Sequence, residues 1–345
     1  MLIKYKKSFI LVFTALLIIS NAAVVGKSKR IDTPEGMISY LKLKKPPMLE
    51  SVEPWENTYG PGLKLTTKHY EVYTTLLEPL ILSRVPGFVE SAYNAYQKQL
   101  AEPIETRYKL PIYLFAERKQ WEEFTKLFAG DNAPVYLKIK SGAYCLKDAC
   151  VAYNIGSDVT FSVLGHEGWH QFNKRHFRYR LPSWLDEGIA MTFESNRNED
   201  GLFVFDPSQN YNRLGGLKLS LARKKMIPLK VLIGLNPGEV VYAGEEAVQA
   251  FYSQSYALAR FLREDNYGQR LAQYHQMLMG AVEGTWPLSE ETKKIAADRN
   301  IPLTVNYNRI VGTKLFEYYI GDDFEIMEQQ YLLFCNKIVY RINLK

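Results

Sequence analysis

Two of the chain's five histidines, His166 and His170, stand four positions apart in FSVLGHEGWHQF, residues 161–172, with Glu167 directly after the first. On an α-helix, positions four apart differ by about 40° around the axis and by about one turn along it, so the two imidazoles project side by side. Two imidazoles so placed can hold one Zn2+. Glu167 is rotated by about 100° from His166 and can flank the ion without binding it. From there its carboxylate could take a proton from a water whose pKa zinc lowers from about 15.7 to about 7, and pass it to a leaving amine. The alternative is a polar helix with two surface histidines, which makes no demand on the residues downstream.

A catalytic zinc site needs a third protein ligand and an open position for water. Downstream stands LPSWLDEGIAMTFE, residues 181–194. WLDEGIAMTFE resembles the WLxEGxAxxxE segment of the aminopeptidase-N-type gluzincin metallopeptidases. Together with HEGWH it is more similar to the peptidase-MA-like family of secreted bacterial proteins. The resemblance implies an α+β, zincin-like (thermolysin-type) catalytic domain with a small mixed sheet and an active-site helix, followed by a mainly helical part. It implies one Zn2+ held by His166, His170 and Glu187, with Glu167 as general base and an extended peptide or protein segment as substrate. Sixteen residues separate His170 from Glu187, slightly fewer than in the aminopeptidases. Glu194 lies two helical turns after Glu187, where it either orients a ligand histidine or is a solvated helix end. Asp186 reads as part of an acidic first turn.

Peptide hydrolysis builds a negative tetrahedral oxygen that a donor beside the metal should stabilise. Gluzincins of the aminopeptidase type use a tyrosine on a later helix. AFYSQSYALARF, residues 250–261, offers Tyr252 and Tyr256, and Tyr252 is the first choice, with core packing as the alternative for both. SGAYC, residues 141–145, could present a strand edge to which a substrate adds. That segment lacks the amine-binding glutamate of the aminopeptidases, so aminopeptidase action is not implied. The resemblance extends from about residue 66 to 195, with a later match at YSQSYALARFL. It does not cover residues 23–65 or 281–312.

The elements that must position these residues are legible as periodicities. HYEVYTT, residues 69–75, alternates like a half-buried strand, and KLPIYLFA, residues 109–116, reads as a second. Residues 82–101 become helical after Pro86, and residues 117–128 form another helix with Trp121, Phe124 and Phe128 on one face. GAYCLKDACVAYN reads as a hairpin whose Cys145 and Cys150 could form a disulfide in an oxidising compartment, leaving Cys335 without a partner. The histidine helix should open at Ser157 or Asp158 as N-cap. Gly165 and Gly168 inside it each cost about 1 kcal/mol relative to Ala, so close approach of another element is expected there. Another helix should run from about Ser183 to Glu194. His176 should point away from the pair. His69 and His275 read as surface or packing residues, and Trp169 and Trp184 as core.

The domain plan is residues 1–22 as an export signal, 23–65 as an irregular lead-in, 66–200 as the subdomain with the zinc site, and 201–345 as a mainly helical subdomain. The signal rests on a basic MLIKYKK, an apolar SFILVFTALLIIS and a small-residue SNAA. It implies a secreted or extracytoplasmic protein without stable membrane insertion after cleavage. The composition, 47% hydrophobic and 23% charged with net charge +6, suits an ordinary globular protein. Lys174, Arg175, Arg178 and Arg180 read as a solvated helix end rather than a nucleic-acid patch. The leading expectation is a secreted zinc peptidase. The alternative is a non-catalytic extracellular or envelope binding protein with structural zinc, and such a site has no need of Glu167.

Overall fold

Alternating burial builds the sheet. In the computed structural model, which describes residues 31–140, 142–299 and 305–342, six strands form one mixed sheet. These are β1 (Ser51–Pro54), β2 (Leu63–Thr66), β3 (Tyr70–Thr74), β4 (Leu110–Phe115), β5 (Ala143–Leu146) and β6 (Ala149–Tyr153), in spatial order β1-β2-β3-β4-β6-β5. β3, β4 and β6 run parallel, while β1, β2 and β5 join antiparallel, so β5 is an edge. Leu110, Ile112 and Leu114 of β4 enter the main core on one face. Phe115 enters a smaller cluster on the other, with Trp121, Phe124, Val151 and Tyr153. The expected export signal and Ser141 lie outside the described residues.

Helices cover both faces of this sheet. Naming the helices of eight residues or more in chain order, α1 is Pro34–Lys44, α2 Val85–Gln97, α3 Arg118–Ala129, α4 Ser157–His176 and α5 Ser183–Ala190. α3 covers the smaller cluster through Trp121 and Phe124. α2 and α4 belong to the main core, where Phe88 of α2 meets Phe161 of α4 at 4.8 Å between ring centroids. In the C-terminal half follow α6 (Tyr211–Ala222), α7 (Glu245–Glu264), α8 (Leu271–Glu283), α9 (Glu290–Ala297), α10 (Val305–Tyr319) and α11 (Phe324–Ile338). One buried apolar cluster runs from Met37 to Val339, so the two halves share a core. The class is mixed α+β, with a small mixed sheet and C-terminal helices. Among the described residues no helix is long and apolar enough to cross a membrane.

Several expectations are corrected. The part of residues 23–65 that is described is ordered: Thr33 caps α1 by accepting from the Gly36 N–H at 3.2 Å, and β1 and β2 extend the sheet. Order therefore begins well before His69. A second hairpin, β7 (Asn196–Glu199) and β8 (Leu202–Phe205), interrupts the helical run, with Phe203 packed on Phe88 at 5.0 Å. Ser157 is the first residue of α4 and not its cap. The cap position is Gly156 at φ 95°, and Thr160 accepts from the Ile155 N–H at 3.0 Å. α5 stops at Ala190 and continues as a 3-10 turn over Met191–Phe193.

Cys145 and Cys150 face each other directly across the expected hairpin, yet both are free thiols, as is Cys335. The turn is a tight two-residue one, Lys147 and Asp148 having φ 48° and 63°.

The glycines of α4 do mark close approaches. A Cβ on Gly165 would lie 2.5 Å from the Phe193 carbonyl oxygen, and one on Gly168 would collide with the Tyr96 hydroxyl, which donates to the Gly165 carbonyl at 2.8 Å. Gly165→Ala should lower stability by about 1–3 kcal/mol through overpacking against backbone, more than the ~1 kcal/mol that Ala gains in helix propensity. Denaturant unfolding checks this; unchanged stability would mean that the contact is slack.

Candidate metal centre and cleft

α4 and α5 bring His166, His170 and Glu187 together, with one ligand atom from each lying within 4.8 Å of the others. His166 Nε2 is 3.2 Å from His170 Nε2 and 3.3 Å from Glu187 Oε2, and His170 Nε2 is 3.9 Å from Glu187 Oε1. The outward nitrogens are already engaged. His166 Nδ1 is 3.0 Å from Glu194 Oε1, and His170 Nδ1 is 3.0 Å from Asp186 Oδ1. A carboxylate only accepts, so each Nδ1 carries the hydrogen, and each Nε2 is left to share a proton or bind a cation. Two nitrogens about 2.05 Å from a tetrahedral ion stand about 3.3 Å apart, close to the spacing found. The three residues can hold a metal ion.

The carboxylates behind the histidines are themselves fixed. Glu194 accepts from Asn210 Nδ2 at 2.9 Å, Arg213 Nε at 2.8 Å and Arg213 Nη2 at 2.7 Å. Asp186 accepts from Trp169 Nε1 at 3.0 Å and Asn173 Nδ2 at 2.7 Å. Glu194 is thus not a solvated helix end, and Asp186 is more than first-turn acidity. Burial opposes charge on all of these groups, but the pairing outweighs it. Against burial, Glu187 and Glu194 raise the pKa of His166 well above the usual imidazole value, and Asp186 with Glu187 lifts His170 to about 9. Glu194 falls to about 2, burial being outweighed by His166 and Arg213. Glu194→Gln removes the charge that His166 and Arg213 share. It should weaken metal retention by roughly 10–100-fold, the usual effect of losing such an outer partner, as read by chelator competition. Unchanged retention would separate Glu194 from the site.

Glu167 is half-buried beside these three residues, and its carboxylate makes no ion pair or side-chain hydrogen bond among the described residues. Burial raises its pKa against the opposing pull of His170 and His166. Tyr252, on α7, lines the same cleft of about 490 Å³. Arg213 lies 5.6 Å from its ring centroid, and the Glu187 charge, then burial, pushes its pKa up. Tyr256 is fully buried instead, donating to the Pro207 carbonyl and accepting from Arg260 Nη1 at 3.0 Å. Of the two tyrosines, only Tyr252 lines the cleft. Its place is set by Gly188, where a Cβ would collide with the Ser255 carbonyl of α7.

The β5 edge flanks the cleft through Ala143, Tyr144 and Cys145, opposite Ser162 and Val163 of α4. The remaining histidines stay apart, as expected. His176 Nδ1 meets the Phe172 carbonyl at 2.7 Å and its Nε2 meets Thr106 at 2.6 Å, while His69 pairs with Glu90 at 2.6 Å. Trp169 and Trp184 are fully buried core residues. Sequence reasoning missed the roles of Asp186, Asn210 and Arg213. Asp186 carried a signal in its place beside Glu187, whereas Asn210 and Arg213 reach Glu194 only through the fold. No protein-family model matches the sequence, and no curated protein matches it.

Proposed function

We propose that the chain is an exported zinc-dependent peptidase of gluzincin type on a zincin-like fold. The observation that carries the reading is the pair of Nε2 atoms 3.2 Å apart beside Glu187, each imidazole backed by its own carboxylate, with an unpaired Glu167 in the same cleft. Zinc held by His166, His170 and Glu187 would acidify water and polarise a peptide carbonyl. Imidazole and carboxylate donors in an N,N,O set suit that ion, and Asp186 and Glu194 would fix both rings as neutral ligands.

The chain's own residues divide the remaining work. The Glu167 carboxylate makes no ion pair or side-chain hydrogen bond among the described residues, and burial raises its pKa against the pull of His170 and His166, which suits it to accept a proton from water and deliver it to the leaving nitrogen. The Tyr252 hydroxyl has no hydrogen-bond partner among the described residues and is available to donate to the oxygen on which negative charge develops. Free N–H and C=O groups along β5 would pair with an extended peptide, so the substrate is a peptide or protein segment bound as a strand.

The test uses residues 23–345, purified, with metal content measured and a broad peptide library as substrate. Hydrolysis should disappear on chelation and return with one equivalent of zinc. Bound zinc without cleavage of any peptide would favour the non-catalytic binding protein, and failure to retain any metal would sink both readings.

A further inference from the structure

The Lys174–Arg180 cluster does not behave as one solvated helix end. Arg175 and Arg178 are exposed, but Lys174 and Arg180 turn toward the metal centre. With Arg299 they line a cavity of about 280 Å³ that also borders Glu167, His170 and Glu187, and so continues the cleft beyond the ligands. Lys174 stands one turn after His170 on α4 and shares its face. Arg180 lies in the segment joining α4 to α5 and is 8% exposed. Arg299 follows α9 and is half-buried.

The chemistry of these cations is unusual for structural residues. Arg299 forms no ion pair among the described residues, and its hydrogen bond goes to a neutral acceptor, the Phe177 carbonyl, at 2.6 Å. Arg180 Nη2 donates to the Ile295 carbonyl at 2.8 Å, and the Asp298 charge acts on the same guanidinium. Lys174 reaches the nearest carboxylate, Asp148, only at 4.0 Å. Asp186, the acidic group of this wall outside the catalytic set, is committed to His170, Trp169 and Asn173. The lining around the metal ligands adds the apolar and aromatic Tyr136, Ile139 and Val163, and its cation, Arg213, is paired with Glu194. Lys174 and Arg299 are the cleft cations without so close a carboxylate among the described residues.

We propose that the cavity formed by Lys174, Arg180 and Arg299 is an anion subsite, so that a peptide in the cleft presents a carboxylate there. The proposal rests on the peptidase reading for the ligand being a peptide. Half-buried guanidinium groups favour carboxylates because their planar donors meet both oxygens and give charge-assisted hydrogen bonds. The carboxylate is either an Asp or Glu side chain or the peptide's own C-terminus.

The test measures binding, so that it does not depend on turnover. The metal-loaded Glu167→Gln chain is titrated with four versions of one extended peptide. These carry Glu or Gln at the varied position, each with a free or an amidated C-terminus. Peptides bearing the recognised carboxylate should bind roughly 10-fold or more tightly than the neutral version, the scale expected of a charged hydrogen bond. Adding Arg299→Gln should close that gap. Lys174→Gln, on a more accessible side chain, should narrow it even if the arginine variant folds poorly. A gap that follows the side chain names an acidic residue; one that follows the terminus names the C-terminal carboxylate. Equal binding of all four, no binding of any, or a gap unmoved by both substitutions overturns the proposal. Acidic peptides that bind with the expected gap, yet are not cut when Glu167 is restored, would leave the subsite standing and remove the peptidase reading.

Discussion

Glu167→Ala should cut kcat/KM for peptide hydrolysis by about 10²–10⁴-fold, the usual contribution of a general base, while the metal stays bound. The two halves of this expectation have separate causes. On the proposed assignment metal retention depends on His166, His170 and Glu187, and the Glu167 carboxylate makes no ion pair with them among the described residues. Folding should not suffer, because a half-buried carboxylate with no ion pair or side-chain hydrogen bond among the described residues is replaced by a good helix former in the interior of α4. Activity lost together with metal would make Glu167 a ligand or a structural residue. Activity retained at full rate would remove it from the chemistry altogether. Metal analysis and steady-state kinetics on the same preparation separate the three results.

Glu187→Gln should release the metal. The amide keeps the shape but supplies a neutral oxygen where an anionic one stands 3.3 Å from His166 Nε2. Losing a direct ligand should weaken retention by more than the roughly 10–100-fold expected for an outer partner, so the effect must exceed that of Glu194→Gln. Competition against a chelator series ranks the two variants. Equal retention in the Glu187 variant and the unmodified chain would reject the ligand assignment. A Glu194 variant weaker than the Glu187 variant would reverse the roles of the two carboxylates.

The local parts of this architecture were legible because they depend on periodicity and spacing. Alternation in HYEVYTT and KLPIYLFA marked β3 and β4 to within a residue or two, and the four-residue spacing of His166 and His170 placed them on one face of α4. Gly165 and Gly168 announced close packing, which the Phe193 carbonyl and Tyr96 supply. Other features escaped because tertiary contact decides them. β1 and β2 are short, and Leu63 and Leu65 become strand residues by pairing with β1 and β3. The β7–β8 hairpin carried a turn signal in Asp200 and Gly201, at φ 50° and 89°, but its first strand, Asn196–Glu199, is polar and leans on β8.

The same division holds at the centre. The grouping of His166, His170 and Glu187, which could hold a metal ion, was readable from two motifs, whereas its support was only half so. Glu194 was placed on the right face, but Arg213 and Asn210 come from α6 and the turn before it, with no spacing rule that ties them to Glu194. The sequence reading preferred Tyr252 to Tyr256 but had no measure of their depth, because both lie on one face of α7. The structure separates them by depth, with Tyr256 enclosed by Arg260 and Pro207.

The zinc K-edge absorption spectrum of the purified chain tests the centre most directly. His166, His170 and Glu187 predict one zinc per chain surrounded only by nitrogen and oxygen at about 2.0–2.1 Å. Absence of zinc, or a sulfur neighbour at about 2.3 Å from the nearby free Cys145, would contradict the assignment.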